Sequence, residues 1–241
     1  STAIVASPTS GAFGTSVTLT ATVSESPSVA GFAPGGTVRF CNGGSDSSCT
    51  GGTELGTDTL DGSGEASIQT TTLPGGTNTI RAYYLGDSNF NTSNGSTTVT
   101  ITANTTTTTL AAPADGTSQQ FGTQVTFTAT VAAASNPDPG QNDGHVEFRY
   151  DTGGGNSTLI GTAQKSGNSY TLATATLNAG TYEVFAKFIA TNGSYTGSTS
   201  SGTNTLTITA LSTTVSIGAS PGTITIGGSS TLTATMTPSA A

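Results

Sequence analysis

An eleven-residue strand pattern occurs twice in this chain and begins a third time. The stretch from Phe13 to Val23 (FGTSVTLTATV) returns 108 residues later, from Phe121 to Val131, as FGTQVTFTATV. It returns after a further 105 residues, from Ile226 to Met236, as IGGSSTLTATM. A period of that length implies consecutive domains of about 100 residues rather than one large domain. The pattern also fixes the kind of structure. Val17, Leu19, Ala21 and Val23 alternate with Thr18, Thr20 and Thr22, so one face of an extended strand is apolar and the other carries hydroxyls. Nowhere do apolar residues recur at helical spacing over three turns, and an all-β fold follows.

The rest of each repeat reads the same way. In the first, strands are expected at 2–6, 16–23, 37–41, 53–60, 65–71, 78–85 and 96–102, the fourth broken at Gly56. They are separated by turn signals such as Asp61-Gly62 and Pro74-Gly75-Gly76, and by a long connection over 24–36 that contains Pro27 and Pro34. In the second, Val146 and Phe148 answer Val38 and Phe40. Val184, Ala186 and Phe188 answer Ile80, Ala82 and Tyr84, and Leu206 and Ile208 answer Val99 and Ile101. Inward positions stay apolar while outward ones drift, Arg39 becoming Glu147 and Arg81 becoming Phe185. A repeat that keeps its apolar positions and changes its surface preserves a core. About seven short strands per repeat imply tandem antiparallel β-sandwiches of immunoglobulin type. The expected boundaries are 1–103, 104–209 and 210–241, the last holding only the first two strands of a third repeat. The run Thr105 to Thr109 reads as the opening strand of the second domain, entered with almost no spacer.

These residues resemble a known family. The Phe13–Val23 strand, Thr37-Val38-Arg39-Phe40, Leu73-Pro74-Gly75-Gly76-Thr77 and Tyr84-Leu85-Gly86-Asp87-Ser88-Asn89-Phe90 look like the bacterial Ig-like domain repeats. The resemblance implies tandem modules of a large exported or cell-surface protein, serving as spacer, stalk, adhesin shaft or enzyme appendage. The second repeat departs from it at Thr191-Asn192-Gly193-Ser194-Tyr195, so a role for Asp87 is not general to the repeat.

Composition narrows the function. Charged residues make up 7% of the 241, against roughly 25% in an ordinary soluble domain. The net charge of −8 with five Lys and Arg argues against nucleic acid or an anionic lipid surface as partner. No apolar run reaches the ~18 residues of a membrane helix. No signal peptide precedes Ser1, so an exported protein would stand here in mature or trimmed form.

Residues capable of chemistry are few. Cys41 and Cys49 are the only cysteines, and an even pair in an apparently exported chain reads as a local disulfide. His145 is the lone histidine, at the start of a sandwich strand, and no base–nucleophile constellation accompanies it. Asp138, Asn142 and Asp143 share one loop and are weak calcium candidates, although Asp and Asn are also ordinary turn residues. Asp58, Asp61 and Glu65 look like a hairpin tip. Asn91, Asn94, Asn104, Asn156 and Asn192 each head an N-x-[ST] sequon. No catalytic residue, cofactor or resident metal is expected. The reading is a non-enzymatic extracellular or cell-surface structural protein, a stalk or head-to-tail filament. Its partners would be copies of itself or further repeats, and glycans. An adhesin or carbohydrate-binding module, with Tyr83 and Phe185 as outward rings, and an accessory region of a secreted enzyme are the alternatives. For residues 210–241 two readings stand: a piece of a longer array, or a strand donor to a neighbouring molecule.

Overall fold

A computed structural model describes residues 1–25, 32–135 and 137–238; Pro27 of the long connection and Asn136 of the acidic loop lie outside them. By its contacts the chain separates into two compact units. One is Ser1–Thr107 with Val131–His145 and Phe188–Ser198, and the other is Thr108–Thr130 with Val146–Lys187 and Thr199–Ala241. The described residues contain strands and no helix.

The first repeat runs β1 (Thr2–Ser7), β2 (Ser10–Ala12), β3 (Val17–Val23), β4 (Thr37–Gly43), β5 (Gly52–Thr59), β6 (Glu65–Thr70), β7 (Gly76–Tyr84) and β8 (Ser93–Thr102). Two sheets result, ordered β1-β3-β6 and β2-β8-β7-β4-β5. Pairing is antiparallel except that β2 lies parallel to β8, Gly11 opposite Ile101. The chain thus leaves the small sheet after β1 and joins the edge of the large one before returning as β3. The strand expected at 96–102 begins earlier, at Ser93, and includes Gly95. A Cβ at Gly95 would collide with the carbonyl oxygen of Thr2, so β1 approaches β8 closely at this point. The fourth strand is continuous through Gly56. A register shift falls between Phe40 and Cys41 in the neighbouring strand, leaving Gly56 opposite Phe40.

The expected inward faces meet. Val17, Leu19, Ala21, Val38, Phe40, Ile80, Ala82, Tyr84, Val99 and Ile101 form one buried cluster. Each large member contributes about 1.5–3 kcal/mol by leaving water, and Leu19 with Phe40 at full burial stands at the upper end of that range.

The second repeat runs β9 (Thr106–Ala112), β10 (Thr117–Gln120), β11 (Val125–Ala133), β12 (Gly144–Gly153), β13 (Asn156–Ala163), β14 (Lys165–Ser166), β15 (Ser169–Thr174), β16 (Gly180–Ala190), β17 (Ser198–Thr199) and β18 (Asn204–Thr209). Its sheets are ordered β14-β15-β11-β9 and β10-β18-β16-β12-β13, with β17 against β16. The threonine run becomes β9, because β-branched side chains fit a pleated surface. β10 lies parallel to β18 as β2 does to β8. Val125, Phe127, Ala129, Val146, Phe148, Val184, Ala186, Phe188, Leu206 and Ile208 are all buried. Phe127 and Phe148, from different sheets, meet with ring centroids 5.6 Å apart.

Residues 213–238 form an isolated antiparallel hairpin, β19 (Thr213–Ser220) with β20 (Thr231–Pro238), exposed along both strands.

Candidate functional site

The described groups that could do chemistry are placed by turns and strand ends. Cys41 and Cys49 are joined as a disulfide. The bridge lies beneath Tyr83 and Leu85 in a small cluster separate from the core, on the outer face of β4 and β7. Tyr83, expected as an outward ring, is 7% exposed because it covers this bridge. The intervening loop is closed by its own bonds. The amides of Ser48 and Thr50 donate to Asp46 Oδ1 at 2.8 and 3.1 Å, and Arg39 Nη1 donates to the Ser47 carbonyl at 2.6 Å. The Thr50 amide, then the Thr50 hydroxyl and the Ser48 amide, hold the Asp46 carboxyl below its ordinary range.

The same economy governs the other carboxylates. Asp61 Oδ1 accepts from the amides of Ser63 and Glu65, which hold its carboxyl low, Glu65 foremost. Asp58 accepts from Ser67 and Thr59. These bonds make the hairpin tip expected there. Asp115 accepts from the Thr205 amide at 2.8 Å, the leading cause of its lowered pKa. Asp87 gathers three amides, from Asn89, Phe90 and Gly35, and is likewise held low, with Asn89 first among the causes. Beside it, burial and then the charge of Asp87 push the Tyr84 hydroxyl up to about 12.

Each calcium candidate has partners of its own. Asp138 Oδ1 accepts from the Ala133 amide at 2.8 Å. Asp143 accepts from the Gly140 amide and from Asn192 Nδ2, both at 2.6 Å. Asn142 meets Thr191 through its backbone carbonyl. Among the described residues no three His, Cys, Asp or Glu side chains are grouped to hold a metal ion. Asp138 and Asp143 fix turns through these bonds. His145 sits second in β12, and its side chain is half-buried.

The sequons divide by geometry. Asn91, Asn94, Asn156 and Asn192 are exposed, though the amide of Asn192 is held by Asp143. Asn104 is 2% exposed. Its backbone accepts from Thr196 and donates to Ser194, and its side chain donates to the Ser135 carbonyl and accepts from the Ser135 hydroxyl. A glycan cannot be attached there in the folded protein, and Asn104 is withdrawn as an acceptor. Its role as a saturated polar hub was hidden by the sequon it heads; its position just before a strand-forming run was the available signal.

Two clefts open on the first repeat. One includes Ser1, Glu25, Pro34, Tyr84, Phe90 and Ser93, and the other includes Ser45, Asp46, Tyr83, Ser93 and Asn94. Both are polar, and Asp46 is already engaged by its own loop. No helix of the described residues is long and apolar enough to cross a membrane.

Comparison with known proteins identifies the repeat. The family described as bacterial Ig-like domain (group 3) matches residues 4–104 and again 109–209. No curated protein matches the sequence. Among solved structures the chain is similar to invasin, described as a bacterial integrin-binding protein. That match has 18% identity and a TM-score of 0.50, and covers 90% of this chain and 42% of that one. It is also similar to a tetra-tandem repeat from the extending region of a large adhesion protein, with 19% identity and a TM-score of 0.48, covering 90% and 51%. A third similarity is to fibronectin(III)-like modules of Clostridium thermocellum CbhA, with 18% identity and a TM-score of 0.35, covering 86% and 94%. This chain therefore spans about half or less of the invasin and adhesion-protein chains. At these identities the likeness to invasin concerns the fold.

Proposed function

Because the chain belongs to the bacterial Ig-like domain family (group 3), with domains over 4–104 and 109–209, we propose that it is a non-enzymatic spacer of an exported or surface protein. Bacterial Ig-like domains are typical of such proteins. One observation carries the reading: both repeats bury the same inward set, Val38 with Val146, Phe40 with Phe148, Ala82 with Ala186 and Ile101 with Ile208. Their outward positions differ in chemistry, and Asp46 and Asp61 are each engaged by amides of their own turn. Such a module is built to hold its shape. Its partners are further repeats of the same kind and surface glycans, outside the cell.

The test is replacement within the native surface protein. Exchanging residues 4–104 for an unrelated sandwich of similar size should leave binding and assembly intact, whereas deletion should shorten the reach of whatever the array presents. Loss of binding on replacement would make the repeat a recognition module instead.

A filament is the second reading, favoured by the bare hairpin β19–β20. An exposed strand pair with a free edge is a common site of strand addition. Electron microscopy of native material, with and without residues 210–241, separates it from a plain spacer.

A further inference from the structure

A spacer requires no particular sequence at Thr191-Asn192-Gly193-Ser194-Tyr195, yet this is where the second repeat departs from the turn of the first. The segment belongs to the compact unit that holds the first repeat, Ser1–Thr107 with Val131–His145 and Phe188–Ser198. Within that unit it makes two specific contacts. The Tyr195 ring meets the Phe13 ring edge-on, with centroids 5.3 Å apart and planes at 70°, a favoured arrangement of two aromatic rings. The Gly193 backbone lies against Gly75, so closely that a Cβ at Gly75 would overlap the Gly193 carbonyl oxygen. Phe13 follows β2 and packs against the first repeat's core, and Gly75 directly precedes β7. Together they form a socket, an aromatic edge beside a turn that carries no side chain.

The loop that enters it is held from behind. The Ser194 carbonyl accepts the Asn104 amide at 2.8 Å, and the Thr196 amide donates to the Asn104 carbonyl at 3.0 Å. The Thr106 hydroxyl donates to the Thr196 carbonyl at 2.7 Å. The Ser194 amide donates to Asn192 Oδ1 at 3.1 Å, which sets the turn. The Tyr195 hydroxyl donates to the Pro137 carbonyl at 2.9 Å. Phe90, the counterpart of Tyr195 in the first repeat, has no hydroxyl for such a bond. The departure from the first repeat's turn therefore supplies an anchor as well as a ring.

The two repeats differ at the socket itself. Phe121 answers Phe13, but Ala179 answers Gly75. Ala179 directly precedes β16 as Gly75 precedes β7, so this turn accepts a Cβ. Gly75 is also outside the left-handed region of backbone conformation, and its own φ does not call for glycine. What the missing side chain provides is room for the Gly193 carbonyl.

We propose that residues 191–196 are a docking loop fitted to the first repeat, and that Gly75 determines which loop the socket takes. The surface accepts a bare backbone carbonyl two residues ahead of an aromatic ring. A repeat with alanine at the Gly75 position, as the second has, excludes that loop. This inference goes beyond the spacer reading and does not rest on it.

The experiment is amide hydrogen exchange on the full chain carrying Gly75→Ala, Tyr195→Leu or both. Asn104 and Thr196, whose amides are bonded within the docked loop and its anchor, report on docking; Leu19 and Ala21 report on the first repeat's core. Each single substitution should speed exchange at Asn104 and Thr196 by about tenfold or more while leaving Leu19 and Ala21 unchanged. The double substitution should add little to the larger single effect, because both remove one contact surface. Unchanged exchange at Asn104 and Thr196 in Gly75→Ala overturns the proposal, as do effects of the two substitutions that multiply. Equal acceleration at Leu19 and Ala21 in Gly75→Ala also overturns it, since the glycine would then serve its own turn.

Discussion

Asp87 accepts the backbone amide of Gly35 at 2.8 Å, joining two loops that lie 52 residues apart in sequence. The corresponding loops of the second repeat are joined differently: Asn192 donates to Asp143, and Asp143 accepts from Gly140. The same end of the fold is braced by one carboxylate in the first case and by an amide–carboxylate pair in the second.

That difference has a consequence for acid stability. The Asp87 pKa is depressed in the folded protein, chiefly by the amides of Asn89 and Gly35. Its contribution is therefore present above the ordinary carboxylate value near pH 4 and is lost as pH falls through the lower folded value. Thermal unfolding should show Asp87→Ala lowering the first repeat's midpoint at pH 7, with the gap to wild type narrowing as pH falls below the ordinary carboxylate range. A gap that is constant with pH would mean that the carboxylate charge contributes nothing.

The disulfide is a local staple. Cys41 and Cys49 are 8 residues apart, and closing so short a loop stabilises by about 2–3 kcal/mol in the chain-entropy model. The double replacement by serine should lower stability by that amount under oxidising conditions and should match the reduced wild-type protein. It should also raise the exposure of Tyr83, read by its fluorescence quenching. A loss confined to the loop, with no change at Tyr83, would contradict the cluster described.

Asn104 is the residue whose surroundings most alter its reading. Asn104→Ala removes both side-chain bonds to Ser135, a loss of about 0.5–1.5 kcal/mol for each. Peptide mass spectrometry after expression in a host with N-linked glycosylation should find Asn104 unmodified, with sugar restricted to exposed sequons such as Asn91 and Asn94. Occupancy at Asn104 in folded material would show that the site opens.

The strands that could be read ahead of the structure are those with strict alternation and one buried face. β3 and β11 are of this kind, because a one-residue slip would turn Leu19 or Phe127 to water. β2 was not legible: Ser10-Gly11-Ala12 is too short and too small to show a period. The early start of β8 was hidden by Asn94-Gly95, a dipeptide that reads as a turn until the close approach of Thr2 explains the glycine. The braces at Asp87 and Asn104 escaped because their partners are distant in sequence. The acidic loop at 138–143 had the composition of a cation site, but the donors that engage its carboxylates are backbone amides and Asn192, which composition does not reveal.

Native-state hydrogen exchange on the intact chain tests the central claim most directly, since it reports which strands are held inside a packed core. The slowest amides should lie in β3 and β11, around Leu19 with Ala21 and around Phe127 with Ala129, while β19 and β20 exchange fast. Equal exchange rates across all three strand pairs, or fast exchange at Val17 and Val125, would contradict the account of two matching cores and a bare hairpin.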